Sequence, residues 1–316
     1  MASAPFSADH PLRLGTRGSP LALVQANEVA RCLREAHGLA DAAVEVVPIV
    51  TSGDREQSRP LAEIGGKGLF AVELETALHE GEIHLAVHSM KDVETVLHDA
   101  FEIVAMLPRE DTRDAWLSPV AAHPRDLPQG AVVGTASLRR GAQVKAMRPD
   151  VEVINFRGNV QTRMDKVARG EVQGTLLALA GLKRLGLEDN ATCLLDAPEM
   201  IAAVGQGAIG IEIRKDAENV RAAAAVLDDA DTSLCVGCER AMLAELDGTC
   251  RTPIGGHAVL MPGGRIKLTA VLLAEDGSQA FRFEDDAAVA DARELGTRAG
   301  RTLKQDAGAD FVANMG

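Results

Sequence analysis

The sequence holds 316 residues, 46% of them hydrophobic and 25% charged, with a net charge of −13. A chain this long exceeds one ordinary core and points to two or three compact units, and no window approaches the roughly 20 apolar residues that a membrane helix needs. The acidic balance argues against a general nucleic-acid or membrane-surface binder, which needs an extended basic face.

Five cysteines spread thinly along the chain do not make a disulfide framework and suit reduced thiols. The opening "MASAPFSADHP" lacks the basic and apolar regions of a signal peptide, so the expected compartment is the cytoplasm.

A strand-then-helix rhythm starts at once. "LRLGT" reads as a strand, and Ser19 can cap a helix that has Pro20 in its first position and Gly38 at its end. "VEVVPIV" is a second strand. "GLFAVELETALHEG" places Phe70, Leu74, Ala77 and Leu78 on one helical face. "IHLAVHS" and "FEIVAML" follow as strands, and "REDTRD" reads as a crossover out of the first unit. A second series runs through "AVVGT", "SLRRGAQVKAMRP", "VEVINF", "NVQTRMDKVARG", "TLLALAG" and "LKRLGL". Alternation with such short connections predicts parallel α/β sheets in both units. After "GQGAIGIEIR" come an Ala- and Asp-rich helical run, a helix near Leu234 to Leu246, and strand-like "RIKLTAVLLA" and "QAFRFE". These predict a smaller α+β domain.

Charge is uneven. From Gly134 to Arg184 there are ten Lys or Arg against four acids, an excess that suits a small polyanion in a cleft; for any one of these residues a solvated helix face is the plainer reading. Basic residues also recur where strands hand over to helices: Arg17 with Ser19, Lys91 with Asp92, Ser137 with Arg139 and Arg140, Arg157 with Arg163, and Lys183 with Arg184. In open α/β sheets ligands gather at such junctions, and guanidinium groups match carboxylates bidentately. Asp92 either neutralises Lys91 or caps its turn, or it stabilises a cation developing on a bound ligand.

Cys250 sits in "GTCRTPIGG", a loop setting where a thiol can be reached. Cys235 and Cys238 have metal or redox spacing without a second pair, and they read as helix packing. His84, His88 and His257 are too far apart in sequence to define a metal site, and no metal is expected. "IGGKGLF" lacks the pattern of a phosphate-binding loop, and the glycines from Gly53 to Gly68 suggest a lid.

"GTRGSPLALVQA", "GGKGLFAVELETAL", "AVHSMKDV", "GTASLRR", "FRGNVQTRM", "LALAGLKRLG", "VGQGAIGIE" and "GTCRTPIGGHA" stand in the order and approximate spacing of one enzyme family. On them the chain, from about Leu12 onward, resembles the porphobilinogen deaminases, also called hydroxymethylbilane synthases. The resemblance implies two lobes like those of periplasmic binding proteins and a smaller α+β domain. Its boundaries fall at 11–107 with 206–225 for the first lobe, 108–205 for the second and 226–316 for the third. It implies a dipyrromethane cofactor joined to Cys250 through a thioether. On that primer four porphobilinogen units condense with loss of ammonia, and hydrolysis releases linear hydroxymethylbilane for tetrapyrrole synthesis.

By motif position the resemblance implies that Asp92, with Lys91, is the catalytic group, acting at the pyrrole N–H of an azafulvene-like intermediate. Lys91, Asp92, Ser137, Arg139, Arg140, Arg163 and Arg184 belong to the cofactor, and Arg17, Ser19, Arg157, Arg163 and Gln206 to the substrate. A monomer is expected. Val93-Glu94-Thr95, where the family often has a nearby proline, is the main local departure. Two other classes are compatible with the bare pattern. One is a noncatalytic two-lobed module for a small anion; the other is a cysteine-dependent hydrolase or redox protein.

Overall fold

The computed structural model describes residues 6–55, 71–246 and 252–313. The chain starts with β1 (Leu12–Arg17), α1 (Pro20–His37), β2 (Val44–Ile49), α2 (Ser52–Arg55), α3 (Val72–Glu80), β3 (Leu85–Ser89) and β4 (Phe101–Met106). It continues with β5 (Asp114–Leu117), β6 (Val132–Gly134), α4 (Leu138–Met147), β7 (Glu152–Ile154), α5 (Val160–Ala168), β8 (Gly174–Ala178), α6 (Leu179–Arg184) and β9 (Cys193–Leu195). Then come β10 (Ile209–Arg214), α7 (Glu218–Ala224), α8 (Ala230–Glu245), β11 (Ile254–Met261), β12 (Arg265–Leu273), β13 (Ala280–Ala288), α9 (Ala292–Ala307) and α10 (Ala309–Ala313).

Two compact units result. Among the described residues the first takes 6–55, 71–109 and 208–233, and the second takes 110–207, 234–246 and 252–313.

The first unit is built on the sheet β2-β1-β3-β10-β4. Leu12 and Leu14 of β1 pack on Ala26, Val29, Ala30 and Leu33 of α1. That helix begins where the sequence puts its signals: Ser19 Oγ accepts from Ala22 N–H, and Gly38 closes the helix at φ 63°. β1 pairs in parallel with β2 and β3, whereas β10 returns antiparallel between β3 and β4. Ile209, Ile211 and Ile213 of β10 join the α1-side core. Gly210 points the other way, and a Cβ there would collide with Met90 Sδ, so any larger residue would have to displace the buried Met90 side chain.

The second unit holds two sheets. In β7-β6-β8-β5-β9, β6 pairs in parallel with β7 and β8, and β5 pairs antiparallel with β8 and β9. Both large sheets are therefore mixed, and the strand–helix rhythm accounts only for their parallel pairs. Trp116 of β5, fully buried, donates from Nε1 to Ala121 O at 3.0 Å and anchors this core. The smaller sheet is the antiparallel meander β11-β12-β13. Ile266, Leu268 and Leu272 of β12 meet Cys238 and Met242 of α8 and Leu295, Ala299 and Leu303 of α9 in a core of their own.

Candidate active site

In the first unit, the parallel pairing of β1 with β3 brings their C-terminal ends side by side. A recess there is lined by Arg17, Ser19, Gln25, His88, Ser89 and Asp92, among others. Ser89 Oγ donates to Gln25 Oε1 at 2.9 Å. Asp92 is exposed at the end of a short 3-10 turn, Met90–Asp92, whose Met90 N–H donates to Ala208 O. Lys91, half-buried, precedes it outside that lining. His88 Nε2 donates to Glu212 Oε2 at 2.8 Å, with both side chains buried. Burial, with Glu212 next in effect, raises the Glu75 carboxyl above its ordinary pKa.

In the second unit, α4 opens on Ser137, whose Oγ accepts from Arg140 N–H at 3.4 Å. No acid stands in that first turn, and two guanidiniums at a helix N-terminus oppose the helix dipole. Asp114, fully buried at the start of β5, compensates. Its Oδ2 accepts from Arg139 Nη1 at 2.8 Å. Its Oδ1 accepts from Arg140 Nη2 at 2.7 Å and Nε at 3.0 Å, and from Gln206 Nε2 at 3.0 Å.

Burial pushes the Asp114 carboxyl up, but Arg139 and Arg140 outweigh it and hold the pKa far below the carboxylate range. Burial, opposed by Asp114, lowers Arg139 from its ordinary value, and a guanidinium stays protonated throughout. Two positive charges thus share one negative charge. Arg139 also donates to Ile201 O, and Arg140 Nη1 to Leu176 O, whereas buried Arg139 Nε has no hydrogen-bond partner among the described residues.

The other predicted cations lie in the same unit. Asn159 Oδ1 accepts from Thr162 N–H at 2.8 Å and caps α5. Arg163 Nε donates to Gly158 O, and Lys166 Nζ to Arg157 O, so the α5 N-terminus gathers Arg157 and Arg163. Arg184 Nη2 donates to Gly207 O at 2.9 Å, and Lys183 pairs with Glu110 at 2.7 Å. All four are part-exposed or exposed.

Sequence reasoning passed over Asp114, Glu212, Glu239 and Thr112. Asp114 lay inside the presumed crossover, and its one signal is an acid placed directly before the apolar run "AWL".

Cys250 and most of the expected lid, residues 56–68, lie outside the described residues. Cys235 and Cys238 are buried in the C-terminal core, and burial pushes the Cys238 thiol up to about 12. His88 pairs with Glu212, and His257 Nε2 lies 3.0 Å from Thr112 Oγ1. Among the described residues no group of three or more His, Cys, Asp or Glu could hold a metal ion, and no helix is long and apolar enough to cross a membrane.

A family model described as "Porphobilinogen deaminase, dipyromethane cofactor binding domain" matches residues 12–222, and one described as "Porphobilinogen deaminase, C-terminal domain" matches residues 233–305. The chain belongs to the porphobilinogen deaminase family. It is 51% identical over 298 residues to the porphobilinogen deaminase of Nitrobacter hamburgensis and 50% identical over 298 residues to that of Nitrobacter winogradskyi, covering 94% of this chain and 94% of each relative. Among solved structures it is similar to the methionine-binding protein MetQ, at 13% identity and a TM-score of 0.43 over 70% of this chain and 91% of that one. As a porphobilinogen deaminase it is a transferase, a hydroxymethylbilane synthase of tetrapyrrole biosynthesis, with a dipyrromethane cofactor and porphobilinogen as substrate.

Proposed function

We propose that Cys250 carries the dipyrromethane by a thioether and that Arg139 and Arg140 hold its carboxylates. The observation that carries this reading is the buried cluster of two guanidiniums on the single carboxylate of Asp114, with Arg139 Nε left without a partner among the described residues. A buried net positive charge with an unused donor is costly until an anion meets it, and a dipyrromethane offers acetate and propionate groups. The donor set fits the cofactor.

When bound, the cofactor supplies a pyrrole terminus that acts as the primer. Ser137 and Arg184, with Arg163 at the α5 N-terminus, extend the cationic wall along it. Arg157, Arg163, Arg17, Ser19 and Gln206 receive the carboxylates of the incoming porphobilinogen. Asp92, exposed in its recess, accepts the ring N–H of a pyrrole made electron-poor as ammonia departs. Carboxylate placement there lowers the energy of positive charge as it develops and helps to position protons, and Lys91 beside it holds a carboxylate of the cofactor.

The three-domain division at 11–107 with 206–225, 108–205 and 226–316 belongs to the same reading, as do a monomeric state, the cytoplasm and the absence of a nucleic-acid partner. Intact mass tests the core of the proposal: the purified chain is expected to exceed its polypeptide mass by two linked pyrrole units, and Cys250→Ser to lack that mass and turnover. A wild type at bare polypeptide mass, or an active Cys250→Ser, overturns it.

A further inference from the structure

Glu239 of α8 is fully buried, and both of its oxygens accept backbone N–H groups from distant segments. Gly205 N–H donates to Oε2 and Ala258 N–H to Oε1, each at 2.8 Å. Each of these segments next contributes a side chain to one place. Gln206, flanked by Gly205 and Gly207 at φ 71° and 89°, sends Nε2 to Thr112 O at 2.7 Å and to Asp114 Oδ1 at 3.0 Å. His257, beside Ala258 on β11, lies 3.0 Å from Thr112 Oγ1. Thr112 is therefore held through both its carbonyl and its hydroxyl, two residues before the carboxylate that fixes Arg139 and Arg140.

We infer that Glu239 is a positioning residue for the Arg139–Arg140 pair, acting through Gln206, Thr112 and Asp114. α8 and β11, which Glu239 ties together, are also the elements on either side of residues 247–251 in the sequence. The inference rests on the reading that these guanidiniums hold cofactor carboxylates. A carboxylate suits the task because it is acceptor-only and its bonds to N–H groups are charge-assisted. A carboxamide of equal size would turn an NH₂ group toward a backbone N–H.

The test compares the holoenzyme with Glu239→Gln and with Val236→Ala, a fully buried neighbour three residues earlier on the same helix that touches none of these bonds and controls for loss of helix stability. At temperatures where all three are folded, Glu239→Gln is expected to speed hydrogen exchange in the peptides spanning 110–117 and 138–147. It is also expected to lower kcat by about tenfold with KM held within roughly threefold, the pattern of a defect expressed after binding. Val236→Ala is expected to match wild type in both. Glu239→Gln indistinguishable from Val236→Ala in exchange or in kcat overturns the inference.

Should Glu239→Gln fail to fold, Thr112→Val carries the test. It is expected to change the same peptides and kcat in the same direction, and wild-type behaviour overturns the inference. A wild type at bare polypeptide mass overturns the cofactor reading instead, and the exchange comparison does not depend on that mass.

Discussion

Arg140 grips Asp114 side-on, Nη2 at 2.7 Å and Nε at 3.0 Å from the same Oδ1, while Arg139 takes the other oxygen. All three side chains are nearly or fully buried. Removing one member of such a cluster leaves buried charge uncompensated, which costs roughly 3–5 kcal/mol. Asp114→Asn is expected to lose stability on that scale at pH 7 by urea unfolding. The folded-state pKa is depressed below the ordinary 3.8, so the contribution is complete above that value and is lost as pH falls toward the folded pKa. The gap between wild type and Asp114→Asn should therefore narrow below about pH 4; a gap of constant size would show that the carboxylate charge is not what stabilises the cluster.

Asp92 presents the opposite case, an acid whose removal leaves the core untouched. It is exposed at the end of the Met90–Asp92 turn, and surface substitutions of this kind change stability by about 0.5 kcal/mol or less. Asp92→Asn is expected to keep the wild-type melting temperature and to lose turnover by at least on the order of 100-fold, in the range of general acid–base and electrostatic contributions. Steady-state kinetics with a parallel thermal melt checks both halves. A near-normal kcat would remove Asp92 from the chemistry.

The contrast between these two acids shows what was legible in the sequence. Asp92 follows a strand whose "LAV" run and flanking turn are local signals, and the caps at Ser19 and Gly38 fixed α1 from residues within one turn. Asp114 could not be recognised, because its meaning depends on α4, β8 and Gln206, up to 92 residues away. β5 is four residues long and β9 three, too short for alternation to register. β11 was hidden because Gly255 and Gly256 read as a turn, although they are glycines in a strand pressed close to Ile201 and Met242. α9 has a clear apolar face, Leu295, Ala299 and Leu303, that the reading did not take up. Basic junctions were visible because they are local; the carboxylates that orient them were not.

Thiol chemistry separates structural cysteines from the one assigned to the cofactor. Burial pushes Cys238 up to about 12 and also raises half-buried Cys32 and Cys193. In native protein at pH 8, iodoacetamide is expected to label Cys32 and Cys193 before Cys238, since the thiolate is the nucleophile and access decides the rest. After denaturation, the five cysteines of the sequence should yield one fewer titratable thiol in the holoenzyme than in a cofactor-free preparation. Equal counts in the two preparations would contradict the thioether.

Glu75 of α3 carries a carboxyl whose pKa is raised, first by burial and then by Glu212 and Glu94, with His88 and His98 working the other way. A carboxyl whose folded pKa lies above its unfolded value favours the fold while protonated, and that contribution is lost as pH rises through the folded pKa. At pH 7 the ionised group is therefore a liability. Glu75→Gln is expected to stabilise the protein at pH 7 by less than about 1 kcal/mol, because solvent screens a half-buried charge. The gain should vanish below about pH 4, where wild-type Glu75 is protonated in both states. Urea midpoints at the two pH values decide it: a variant no more stable than wild type at pH 7, or one equally stabilised at both, would mean that the charge on Glu75 is not what strains this part of the first unit.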